Sequence, residues 1–124
     1  MKDSAIIFVI IVMVIIGNII SQNILKQDSE NLTNKLEDLK QNINQKELAK
    51  EKVNEIYELW EEIDSRWSII ITHQELDLIK TAILTIKAGI EVDDRQIAYE
   101  QIENSIFLVG HIKEKEALSL KNIF

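Results

Sequence analysis

The chain has no cysteine, no proline and only three glycines in 124 residues. Without cysteine there is no disulfide framework, no thiolate metal site and no lipoprotein cleavage box, and the redox compartment is left unconstrained. Without proline, and with so little glycine, nothing interrupts long helices. Basic residues are in the minority, 14 Lys and Arg against 21 Asp and Glu, for a net charge of −7. That balance argues against nucleic acid as a partner and against docking on an anionic lipid surface through basic clusters. No Gly-rich phosphate loop and no nucleophile–base arrangement is present, so neither catalysis nor a cofactor is expected.

What the chain has in excess is one apolar run. Ala5 to Gly17 reads AIIFVIIVMVIIG, and after Asn18 the run resumes with Ile19 and Ile20. From Ala5 to Ile20 a helix is about 24 Å long, against a hydrocarbon core of roughly 30 Å. Extension to Leu25 reaches about 31 Å but takes in Asn18, Ser21, Gln22 and Asn23. A cleaved signal needs small residues at both −1 and −3. Gly17 and Ser21 each have an isoleucine two positions upstream (Ile15 and Ile19). The expectation is an uncleaved anchor that contacts the lipid bilayer through Ala5–Ile20, in preference to a cleaved signal or a buried helix of a soluble protein. Lys26, Lys35 and Lys40 follow the run and Lys2 precedes it. A bare lysine count keeps the body inside, but long domains translocate largely regardless of charge. The expected orientation is therefore N-terminus in, with the bulk of the chain outside the cell.

Beyond the run, about a hundred residues suffice for one small domain. Leu32, Leu36, Leu39 and Ile43 step by 4, 3 and 4, a coiled-coil-type seam. The seam fails at Lys46 and Lys50, then resumes in a new phase with Val53, Ile56, Trp60, Ile63 and Trp67. This predicts one long helix from Ile24 to Trp67 in two parts, first a stalk with a weak pairing face and then a wider apolar face. Two further helices start at Thr72 and Asp93. Thr72 with Glu75 fits a capping box, and Ile71 with Leu76 a hydrophobic staple; Asp93 with Gln96, and Val92 with Ile97, repeat the pattern. The first of them stops at Gly89, and the second runs to about Leu118 with Ile102, Ile106, Val109 and Ile112 on its face.

The predicted fold is all-α: one N-terminal transmembrane helix (residues 1–23), a long helical stalk (24–48) and an antiparallel three-helix bundle (49–124). The predicted core holds Val53, Ile56, Trp60, Ile63, Trp67, Leu76, Ile79, Ile83, Ile106 and Val109. Leu32, Leu36, Leu39 and Ile43 are the candidate interaction residues. The candidates for a metal or pH-sensing site are His73, with Asp77 at i+4, and His111, placed near the end of the bundle far from the membrane. The preferred expectation is that both histidines cap or hydrogen-bond within the bundle. Glu58, Glu61, Glu62 and Asp64 read as a solvated helix face.

The distal half also resembles a known family. Trp60, Arg66-Trp67, THQELDLI from Thr72 to Ile79, and LVGHIKEKEALSLKNIF from Leu108 to Phe124 are similar to an uncharacterised family of small proteins of spore-forming bacteria. Its members have an N-terminal membrane segment and a helical domain of unknown function. The resemblance implies an anchored helical domain without an assigned activity, and draws attention to His73, Glu75, Asp77, His111, Glu114 and Glu116. It also implies an accessory role beside a multi-span membrane protein of the bacterial envelope. The expected function is thus a single-pass anchored interaction protein. Two alternatives stand beside it: a ligand- or metal-sensing bundle using His73 and His111, and a self-associating coiled-coil protein pairing through Leu32, Leu36, Leu39 and Ile43.

Overall fold

The computed structural model describes residues 1–123, with side chains described through Leu118. It is all-helical, with no strand among the described residues: α1 (Lys2–Gln41), α2 (Lys46–Trp67), α3 (His73–Glu91) and α4 (Arg95–Ile123). Each helix packs against its two neighbours in the ring α1–α2–α3–α4–α1. Cross-helix pairs fix the directions. Lys35 faces Glu55 while Arg66 reaches back to Asp28; Lys40 meets Glu103 while Gln22 meets the Glu116 carbonyl; Lys115 meets Glu75. Every adjacent pair is antiparallel, and the body is an up-down-up-down four-helix bundle.

The continuous helix expected from Ile24 to Trp67 is broken. The chain reverses at Asn42–Gln45, where the apolar seam loses its phase. Asn42 closes α1 twice over: its N–H donates to the Asp38 and Leu39 carbonyls, and its side-chain amide donates to the Asp38 carbonyl at 2.8 Å. Asparagine satisfies backbone groups locally and so competes with helix continuation. The consequence is large. Residues 24–41, expected to be a stalk, form the first helix of the bundle, and Leu25, Leu32, Leu36 and Leu39 lie in the core. The bundle has four helices where three were expected.

The start of α3 follows its expected grammar in part. Thr72 Oγ1 accepts from the Glu75 N–H at 3.5 Å, and Ile71 and Leu76 are both buried. Glu75 does not reach back to complete the box; its carboxylate accepts from Lys115 Nζ at 2.7 Å. At the next turn the cap is Asp94 rather than Asp93, its Oδ1 accepting from the Ile97 N–H at 3.1 Å. Asp93 instead sits in the left-handed region at φ 60°. It ends α3 with the paired bonds of a Schellman motif, Asp94 N–H to Gly89 O and Asp93 N–H to Ile90 O. That one-residue shift leaves Val92 exposed and removes the expected Val92–Ile97 staple. Gly89 is inside α3 rather than at its end. A Cβ there would lie 3.2 Å from the Ala98 nitrogen and 3.2 Å from the Asp94 carbonyl oxygen, so only glycine lets α4 start this close.

The core is layered on Trp60 and Trp67, whose rings meet edge to face at 6.1 Å. The expected core residues are buried except Ile106, which is only partly covered; α4 turns Ala98, Ile102, Ser105, Val109 and Ile112 inward. Ser105 is accommodated because its hydroxyl donates to the Gln101 carbonyl at 2.8 Å.

Trp60→Ala should lower stability by about 3–5 kcal/mol by leaving a cavity beside Trp67; an unchanged thermal midpoint contradicts this packing. The two helical glycines outside the apolar run should respond with opposite sign. Gly110 has open space where a Cβ would lie, so Gly110→Ala should stabilise by about 1 kcal/mol. Gly89→Ala should destabilise by about 1–3 kcal/mol, because the backbone atoms it meets belong to the tight α3–α4 turn. Chemical denaturation of both variants checks the pair.

Candidate functional site

The candidate site is the end of the bundle next to the apolar run, where the α2–α3 turn and the last turns of α4 lie. Along α1, the apolar seam that faces the bundle runs Leu25, then the pair Asp28-Ser29, then Leu32. Asp28 is 7% exposed, and a buried carboxylate must be paired to remain charged. Arg66, at the end of α2, supplies a two-pronged partner: Nε donates to Oδ2 at 3.0 Å and Nη2 to Oδ1 at 2.9 Å. Trp67 Nε1 donates to the same Oδ2 at 3.1 Å. The Asp28 carboxylate also pushes the Arg66 guanidinium further up from its ordinary value. The arrangement locks the register of α1 against α2; a Lys at position 66 has no matching fork. Ser29 Oγ, buried beside it, has no partner among the described residues.

Around this cluster the chain is tied together by polar pairs. Gln22 Nε2 donates to the Glu116 carbonyl at 3.4 Å, holding α4 against α1, and Lys115 is paired with Glu75 across α3 and α4. That carboxylate raises the Lys115 ammonium above its usual value. The turn between α2 and α3 carries Ile69, which is 88% exposed, between half-buried Ile70 and exposed Ser68.

The predicted site residues fall differently. Leu32, Leu36 and Leu39 are fully buried within the chain's own bundle and Ile43 packs partly against it, so the seam serves α1's packing on its own neighbours. His73 and Trp67 lie at the end near the apolar run, not at the far end. His73 is the first residue of α3 and is exposed, as is Asp77. His111 is exposed on α4 and stacks on Phe107 at 5.9 Å. With Glu75 opposite Lys115, His73 is level with about position 117, roughly 9 Å along the axis from His111. Among the described residues no three His, Asp or Glu side chains converge to hold a metal ion.

A family model described as a domain of unknown function (DUF4363) matches residues 19–123. The chain belongs to this family. The DUF4363 match takes in the bundle-forming part of α1 together with α2, α3 and α4, and so extends well upstream of the Trp60–Phe124 segment that carried the resemblance. Most of the apolar run precedes it. No curated protein and no solved structure matches the chain.

The partners of Asp28 are not legible in the sequence, because Arg66 and Trp67 lie 38 and 39 residues away. The available signal for Asp28 itself was its place in the apolar seam, between Leu25 and Leu32, which a solvated residue does not occupy. Asp28→Ala should destabilise the bundle by about 1–3 kcal/mol, since it leaves the buried Trp67 Nε1 unpartnered. Asp28→Asn, which still accepts from Trp67, should cost less; equal midpoints for the two variants contradict the assigned role.

Proposed function

We propose that the chain is a single-pass, membrane-anchored, non-catalytic helical interaction protein of the cell envelope, with its bundle on the outer side. The observation that supports this most is the state of α1 before the bundle. Every large apolar side chain from Ile6 to Ile20 is exposed, and the most apolar stretch of the helix has none of its residues buried in the protein. An apolar cylinder of that length in water far exceeds the patches soluble monomers expose, whereas lipid covers it completely. Inside the run no charged residue occurs, so it reads as an anchor rather than a transport path.

The partner proposed is another protein of the envelope, as an accessory relationship to a multi-span protein requires. The ligand-sensing alternative draws on His73 and His111, and their axial separation gives it no support. Self-association through Leu32, Leu36 and Leu39 would require those side chains to leave their own core.

Alkaline carbonate extraction should leave the full chain in the membrane pellet; release into the supernatant overturns the anchor. Because the chain has no cysteine, Gln45→Cys in the exposed α1–α2 turn gives a clean orientation probe. Labelling of intact cells by an impermeant maleimide is expected, and labelling only after lysis reverses the orientation. Crosslinking with mass spectrometry should return heterologous membrane proteins; self-crosslinks alone favour the homo-oligomeric alternative.

A further inference from the structure

We infer that the lower end of the bundle is itself a lipid contact: the α2–α3 turn at Ile69 faces the headgroup layer, and the last two turns of α4 pass through that layer to the edge of the acyl chains. The inference rests on the anchor reading and adds a second membrane-binding element to it. Three observations carry it.

The first is the lack of a joint. α1 is a single helix from Lys2 to Gln41, and its first core residue, Leu25, comes only five positions after the last residue of the apolar run, Ile20. Five residues of helix are about 8 Å. The bundle is therefore fixed to the span by less than two turns of rigid helix, within reach of a headgroup layer roughly 5–8 Å thick on each face.

The second is where α4 goes. The Gln22–Glu116 hydrogen bond places the Glu116 carbonyl two residues, about 3 Å, above Ile20. α4 continues to Ile123 antiparallel to α1. Its remaining seven residues cover about 10 Å and run level with Ile15 to Ser21, beside the apolar run. This stretch reads ALSLKNI, a largely apolar sequence with one lysine. Leu118, on this stretch, is 60% exposed.

The third is the length of the span. Ala5–Ile20 falls about 6 Å short of a typical hydrocarbon core. A short span draws flanking structure toward the lipid. Ile69 then serves a purpose in lipid that it lacks in water: it is exposed on the turn that descends from Trp67, level with Asp28, to His73, level with Ser21. The contact is apolar, consistent with the net charge of −7.

The test uses the full chain in vesicles of phosphatidylcholine and phosphatidylglycerol, with single cysteines carrying an environment-sensitive fluorophore. Ile69→Cys and Leu118→Cys are the probes, Gln45→Cys the far-end control and Ile11→Cys the span control. Brominated lipid should quench the 69 and 118 probes severalfold more than the 45 probe, with the bromines near the glycerol end of the acyl chain most effective. Quenching at 11 with none above the 45 level at 69 and 118 overturns the inference while leaving the anchor intact. Absence of quenching at 11 overturns the anchor reading and this inference with it. Circular dichroism of each labelled variant confirms that the bundle is folded.

Discussion

One helix does two incompatible jobs, and that constraint organises the molecule. The first half of α1 exposes apolar side chains on every face, a surface compatible with a membrane anchor, and the second half buries one narrow stripe, as a water-soluble bundle requires. The change of regime happens within five residues, with no turn or glycine hinge between Ile20 and Leu25. Whatever holds the first half therefore fixes the height and tilt of everything packed on the second.

The bundle is built to accept that load. Its register along α1 is set at the end nearest the run by Asp28, which takes three hydrogen bonds from Arg66 and Trp67. At the other end the two turns are clipped together by Lys46 with Asp93 and Arg95 with Asn44. These outer pairs are exposed and add little each. The Asp28 cluster is different in kind, because losing Asp28 leaves the buried Trp67 indole N–H unsatisfied. It specifies which layer of α2 meets which layer of α1, a role that apolar stripes of Leu and Ile, tolerant of sliding, fill poorly.

Much of this is legible in the residues themselves. The periodic faces of α2 and α3, the Thr72 cap and the Trp60–Trp67 core follow from spacing alone. The turn at Asn42–Gln45 is visible too, as a phase slip between Ile43 and Val53, yet periodicity does not distinguish a slipped seam from a reversal of direction. The deciding feature is Asn42, which closes α1 with its own side chain. Mistaking that turn for continuing helix converts a packed helix into a stalk, and sends the Leu32–Leu36–Leu39 seam to an imagined partner. The shift from Asp93 to Asp94 as the α4 cap has a similar cause: either carboxylate fits the pattern, and only the left-handed backbone at Asp93 selects between them. The polar pair Asp28-Ser29 inside the seam carries the signal for the buried cluster, but its partner lies 38 residues away and no local rule connects them.

The central claim is that the bundle rests on the membrane rather than standing off from it. Neutron reflectometry on the full chain in a supported bilayer measures this directly. The account predicts protein density beginning in the headgroup layer without an intervening hydrated gap, and extending about 30 Å from the surface, the length of α1 from Ile20 to Gln41. A protein layer separated from the headgroups by a water-filled gap, or one reaching twice as far, would contradict it.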